Sequence, residues 1–252
     1  MALTAHQTKL KQRFIESGSW SSGWESILIL DPDYFESYLN WQLVPKTQRH
    51  LPPKVQQLIH ITVCAAATHL HVPGVRAHIQ EALAEGATQD EIMEVLELAS
   101  TLGIHACNIG VPLLMEVLKE EGLRDAPKPF DDHQLHLKEQ FTKNRGYWHT
   151  FWEEFLELDP HFFEGYVNYS SVPWKKGSLD PKVKELVYCA FDAAATHLYV
   201  PGLKLHMKNV LGYGGTAQEI MEVLEIASLL GIHTVTTSAP ILREEIAKHN
   251  QT

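Results

Sequence analysis

The chain is poor in the residues that would stabilise or address a secreted, nucleic-acid-binding or membrane protein. Three cysteines among 252 residues, Cys64, Cys107 and Cys189, make no close pair, so a disulfide framework is not expected and the thiols read as small buried hydrophobes. Basic residues are in deficit, 21 against 31 acidic for a formal charge of −10. Without a Lys/Arg cluster there is no footprint for phosphate backbones, and no nucleic-acid partner is expected. Uninterrupted apolar runs fall short of the roughly 20 residues of a membrane span, and "MALTAHQTKLKQRF" lacks a signal-peptide core. The expectations are a cytoplasmic location and no membrane partner.

What is present is a repetition. "AAATHLHVPGVRAH", residues 65–78, returns as "AAATHLYVPGLKLH", residues 193–206, with ten of fourteen positions identical. The offset of 128 carries His69 onto His197, Trp20 onto Trp148, Trp24 onto Trp152, "EIMEVLE" at Glu91 onto Glu219, and "GIH" at Gly103 onto Gly231. The register never slips, so the chain is a tandem duplication of a whole domain. The expected division is a first repeat over 1–122, a linker over 123–135 in the Pro-containing polar stretch, and a second repeat over 136–252. A single copy of about 120 residues is long enough to bury its own core.

Within each copy the pattern is helical. "KVQQLIHITVCAAATHLH" and "KVKELVYCAFDAAATHLY" read as helices of about five turns, broken at "VPG". A second helix carries His78 or His206 and ends near Gly86 or Gly214. Thr88 with Glu91, and Thr216 with Glu219, have capping-box spacing and predict a third helix start. No alternating segment argues for a sheet, and the fold class is all-α. The aromatic set Trp24, Phe35 and Tyr38, with its counterparts Trp152, Phe163 and Tyr166, reads mainly as core with some members walling a pocket.

The phrase H-x7-G-A-T-x-x-E-I-x-E-V-L, present in both copies with the second reading G-G-T, resembles the carboxymuconolactone decarboxylase and alkylhydroperoxidase D-like family. The resemblance implies two compact helical domains of that type in a closed homo-oligomer, with a trimer of duplicated chains the first expectation and a dimer the second. The family's redox branch places C-x-x-C-x-x-x-H so that its histidine falls on His78 and His206. Its cysteine positions are here His71 and Gly74, and Tyr199 and Gly202. Thiol exchange needs both sulfurs, so peroxidase activity is not expected. The decarboxylase branch implies a cofactor-independent carbon–carbon lyase, or an isomerase, acting on a small carboxylated or lactone substrate, with His206 and His78 as proton-transfer groups.

The two copies differ where chemistry would be placed. Glu185 faces Gln57 across the offset, Tyr188 faces His60, Asp192 faces Cys64, and Tyr199 faces His71. Positions 185, 188, 192 and 196 share one helical face, so Glu185, Tyr188, Asp192 and Thr196 are expected to line a cleft. The catalytic candidates are therefore His206, Glu185, His197, His78 and Asp192, and the substrate-binding candidates are Tyr199, His233, Thr196 and Lys204. No cofactor is expected. Two readings stand beside this one. The repeated trios His69, His78, His105 and His197, His206, His233 would hold a divalent metal if they converged, giving a metal-dependent hydrolase or lyase. A non-catalytic ligand-binding or assembly module needs no convergence at all.

Overall fold

A computed structural model describes residues 3–124 and 126–251. In the first copy the helices are α1 (Ala5–Ile15), α2 (Ser22–Leu30), α3 (Pro32–Gln48), α4 (Pro53–Ala65), α5 (Val72–Ala84), α6 (Gln89–Ser100) and α7 (His105–Glu120). The second copy has α8 (Asp132–Arg145), α9 (Glu153–Leu158), α10 (Pro160–Ser170), α11 (Val172–Lys176), α12 (Pro181–Ala193), α13 (Val200–Gly212), α14 (Ala217–Ser228) and α15 (His233–His249). No strand occurs among the described residues. α8 begins at Asp132, inside the stretch read as linker, on an Asp131–Gln134 capping box.

Local chemistry sets the boundaries. Thr88 and Thr216 accept from the amides of Glu91 and Glu219, whose carboxylates bond back, so the predicted capping boxes start α6 and α14. Gly86 and Gly214 lie in the left-handed region just after α5 and α13. The long Ala-rich run is shorter than expected. α4 and α12 stop at Ala65 and Ala193, and Leu70 and Leu198 take positive φ of 47° and 52°. The break thus falls at "AATHL", while "VPG" opens the next helix, where proline needs no amide partner. Thr196 therefore lies beyond the end of α12.

The copies do not form separate cores. The central cluster interleaves Leu58, Ile61 and Val95 of the first copy with Leu186, Cys189 and Val223 of the second. A short 3-10 turn, Thr101–Ile104 or Leu229–Ile232, then swings each terminal helix across to the other copy. α15 packs on α2, and Ile232 and Ala239 join the Phe14, Phe35 and Leu39 cluster. Reciprocally, Ile104 joins the cluster of Phe141, Trp152 and Phe163. Thr68 and Thr196 face each other at 3.4 Å, as equivalent residues near a pseudo-twofold axis must.

Two buried glutamates secure the exchange. Glu222, on α14, accepts from the His50 and Leu51 amides at 2.7 and 3.2 Å and from Gln56 Nε2 at 2.7 Å. Its equivalent Glu94, on α6, accepts from the Ser178 and Leu179 amides at 2.7 and 3.0 Å and pairs with Lys184 Nζ at 2.8 Å. Each carboxylate caps the entry to the other copy's central helix.

The rods formed by α6–α7, Gln89–Glu120, and α14–α15, Ala217–His249, are long and apolar enough to cross a bilayer by length and composition. Their first halves are core: Val95 and Val223 are fully buried. The second halves leave Leu113, Leu114 and Val117, and Ile241, Leu242 and Ile246, exposed.

Replacing Glu222 with Ala strands the His50 and Leu51 amides inside the interface and leaves Gln56 only backbone acceptors. Urea denaturation should show a loss on the order of 3 kcal/mol. A midpoint within experimental error of the parent would mean that the clasp is not a stabilising contact.

Candidate active site

Two pseudo-equivalent centres result, each built from both copies. In the first, α4 presents Gln57, His60 and Cys64, α5 presents His78 with His71 at its N-cap, and α15 contributes His233. His78 Nδ1 lies 2.8 Å from Gln57 Oε1. Because an amide oxygen only accepts, Nδ1 carries the proton and Nε2 keeps its lone pair. The His60 ring stacks on His78 with centroids 4.2 Å apart and planes 6° apart. His71 caps α5, its Nδ1 accepting from the Gly74 amide at 3.1 Å, and stacks on His233 at 3.7 Å. His233 Nδ1 and His69 Nε2 share a proton at 2.7 Å.

His60, Cys64, His71, His78 and His233 border a cavity of about 490 Å³. Trp20, Trp24 and Tyr38 wall it, Arg76 stands at its exposed rim, and Lys46 reaches in between the Ser17 carbonyl, to which it donates, and Glu81. Phe35, the member of that set that is fully core, is buried beneath it. Burial first, then the charges of Lys46 and His71, pull His78 down to about 3, and burial with neighbouring His71, His69 and His78 does the same to His233. His60 is lowered well below the usual range by burial and by His78. The imidazoles around the cavity are neutral at pH 7.

The second centre holds the acids that the sequence picks out. Glu185 is fully buried and its Oε2 lies 2.5 Å from His206 Nδ1. There is almost no space beside them: the cavity is about 20 Å³. Arg145, buried, donates to the Tyr188 hydroxyl at 2.7 Å and to the Ser170 carbonyl at 3.1 Å. Tyr188 stacks on His206 at 4.4 Å, and Tyr147 meets that ring edge-on at 6.5 Å. Across the offset, Arg145 and Tyr147 stand where the first copy has Ser17 and Ser19, and Tyr188 where it has His60. Two large side chains, Arg145 at the end of α8 and Tyr147 just beyond its Gly146 cap, fill the volume that two serines leave open. In the sequence the difference is "SGSW" against "RGYW".

The remaining candidates separate. The trios His69, His78, His105 and His197, His206, His233 do not converge, because the terminal helices exchange: His105 Nδ1 meets His197 Nε2 at 2.6 Å, and His233 meets His69. His233 thus belongs to the first centre and cannot share a cleft with Tyr199. Tyr199 is buried and stacks on His105 at 3.8 Å. Asp192 is fully buried, and burial with nearby Glu185 pushes it up to about 8. Thr196 is exposed at the pseudo-twofold axis and Lys204 is exposed on α13, so neither joins Glu185, Tyr188 and Asp192 on one cleft wall.

Comparison with known proteins agrees with this architecture. A model of the carboxymuconolactone decarboxylase family matches residues 32–108 and 160–242, one segment in each copy. The chain belongs to the carboxymuconolactone decarboxylase family. A crystal structure from Burkholderia xenovorans LB400, of a protein provisionally described as a gamma-carboxymuconolactone decarboxylase subunit, is 50% identical, with a TM-score of 0.95 over 96% of this chain and 98% of that one. No match was found among curated proteins. The redox members' second cysteine position is glycine in both copies of this decarboxylase-family chain, and the packing gives a reason. A Cβ at Gly74 would lie 2.6 Å from Cys64 Sγ, and one at Gly202 would lie 2.4 Å from Asp192 Oδ2.

His60, His78 and His233 are each lowered on folding, so the unfolded chain takes up protons first. Their contribution is fully present above about pH 6.5 and is lost as pH falls toward 3. The melting temperature should drop steadily between pH 7 and pH 5. A flat profile across that interval would show that these rings are not held neutral.

Proposed function

We propose that the first centre is the working site, and that it is a cofactor-independent lyase or isomerase site for a small carboxylated lactone or unsaturated acid. The observation that carries this reading is the 490 Å³ cavity onto which His78 opens, oriented by Gln57 and flanked by Lys46 and Arg76. Volumes of this order suit small-molecule ligands. The two cations match a substrate carboxylate, and the Trp20, Trp24 and Tyr38 wall matches an unsaturated ring.

Proton chemistry follows from the electrostatics. Without ligand, His78 is a weak base. An anionic substrate adds the opposite charge that the desolvated ring lacks and raises its proton affinity toward neutrality. In a decarboxylation, the carbon–carbon electron pair moves into the conjugated carbonyl system as carbon dioxide leaves. Protonated His78 then delivers a proton to the resulting dienolate carbon and returns to its neutral form. In an isomerisation the same Nε2 removes and returns a proton. The Glu185–His206 pair is the better-matched acid–base couple, but without space for substrate it serves as buried scaffold, its charge offset by Arg145.

Unsaturated lactone acids, including the lactone named for the Burkholderia relative, are the first compounds to assay. His78→Gln should lower kcat/KM at least about 100-fold with the helical signal intact. Ser19→Tyr, which imports the second copy's plug, should abolish ligand binding. Turnover lost in His206→Gln but kept in His78→Gln would return the chemistry to the second centre, and saturable binding with no conversion would favour a ligand-binding module.

We further infer a homo-oligomer, with a trimer preferred, closed through the exposed apolar faces of α7 and α15. Leu113 and Leu114 map by the 128-residue offset onto Ile241 and Leu242, so both copies present one self-similar apolar surface. Light scattering should give a multiple of 28.5 kDa, and Leu113→Lys with Leu242→Lys should reduce it to one chain. A parent mass of 28.5 kDa would defeat the assembly.

A further inference from the structure

We propose that His105, His197 and Asp192 form a divalent-metal site of the zinc class that staples the first copy's α7 to the second copy's α12 and the loop following it. The observation that singles out this cluster is Asp192. Its side chain is fully buried, and neither carboxylate oxygen has a hydrogen-bond partner among the described residues. A carboxylate taken out of water without a donor is costly, and only a proton or a cation relieves it.

The groups that would share a cation are already assembled. His105 Nδ1 stands 3.7 Å from Asp192 Oδ1 and 2.6 Å from His197 Nε2. The three ligand atoms lie within 4.8 Å of one another. Two imidazole nitrogens and one carboxylate oxygen are a zinc ligand set, with the fourth position taken by water. Bonds of about 2.0–2.2 Å would set the nitrogens about 3.3 Å apart, a small opening of the present contact.

The backbone prepares the place. His105 is the first residue of α7, directly after the 3-10 turn that carries that helix across. Asp192 lies near the end of α12, where its carbonyl accepts from the Tyr199 amide at 2.9 Å. The absence of a side chain at Gly202 gives the carboxylate its room. His197 is partly exposed, so one ligand of the site borders solvent.

The duplication supplies an internal comparison. The equivalent pair, His69 and His233, has Cys64 where Asp192 stands. The neighbouring His71 is committed through Nδ1 to the Gly74 amide. Cys64, His71 and His233 form the corresponding cluster, but with His71 Nδ1 already used and no unpartnered carboxylate there, the expected stoichiometry is one metal per chain.

The test uses the full chain without a histidine tag, stripped by chelator and titrated with Co²⁺, whose visible absorption reports ligation. One equivalent per chain should bind and raise the melting temperature. Asp192→Asn and His197→Gln should each lose both effects, and His69→Gln should keep them. Should Asp192→Asn fail to fold, His197→Gln at its partly exposed position decides alone. Binding of less than about 0.2 equivalent by the parent, or unchanged binding in His197→Gln, overturns the proposal.

Discussion

Everything in this molecule depends on the exchange of terminal helices between copies, and the exchange is held by two buried carboxylates. Glu94 and Glu222 each reach from one copy to cap the backbone that enters the other's central helix. A buried carboxylate is tolerable only when donors surround it, and here backbone amides and a Lys184 or Gln56 side chain do so. The pairing is therefore specific as well as stable. A slip in register would leave these charges without partners, whereas the apolar clusters alone would tolerate some sliding.

The exchange also makes each centre a joint product. His233 arrives at the first centre from the second copy, and His105 arrives at the second from the first. The 3-10 turns before these residues redirect the rods, placing each histidine against its partner's His69 or His197. Duplication within one chain thus does what assembly of separate copies would do, while leaving each half free to change. The changes are concentrated in few places. Ser17 and Ser19 against Arg145 and Tyr147 decide which cavity is open, and Gln57 against Glu185 decides which histidine is paired with a charge.

That division has an electrostatic logic. In the open centre, neutral rings stack on one another and burial keeps them so, leaving the added charge of a bound anion as the largest perturbation available. In the closed centre, Glu185 and Arg145 balance within a packed interior, and aromatic rings of Tyr147, Tyr166 and Tyr188 exclude water. One half keeps volume and the other keeps charge.

Much of the fold was readable along the chain, because its signals are local. Capping boxes at Thr88 and Thr216, prolines at first helical positions and the unbroken offset of 128 depend on neighbours in sequence, and they determined an all-α duplication. Helix length at Ala65 and Ala193 was not readable, since Ala-rich sequence favours continuing and tertiary packing selects the turn. The site was legible in part. The residues were named, and Glu185 and His206, both among the catalytic candidates, lie 2.5 Å apart. Which histidines meet depended on the direction taken by α7 and α15 after a four-residue turn, and no periodicity encodes that direction. Which centre can admit a ligand depended on side-chain volume converging from a loop, two helices and the other copy. The sequence by itself determined the elements, the repeat and the chemistry available. Only the tertiary structure decided partners and space, because both are sums over residues far apart in the chain.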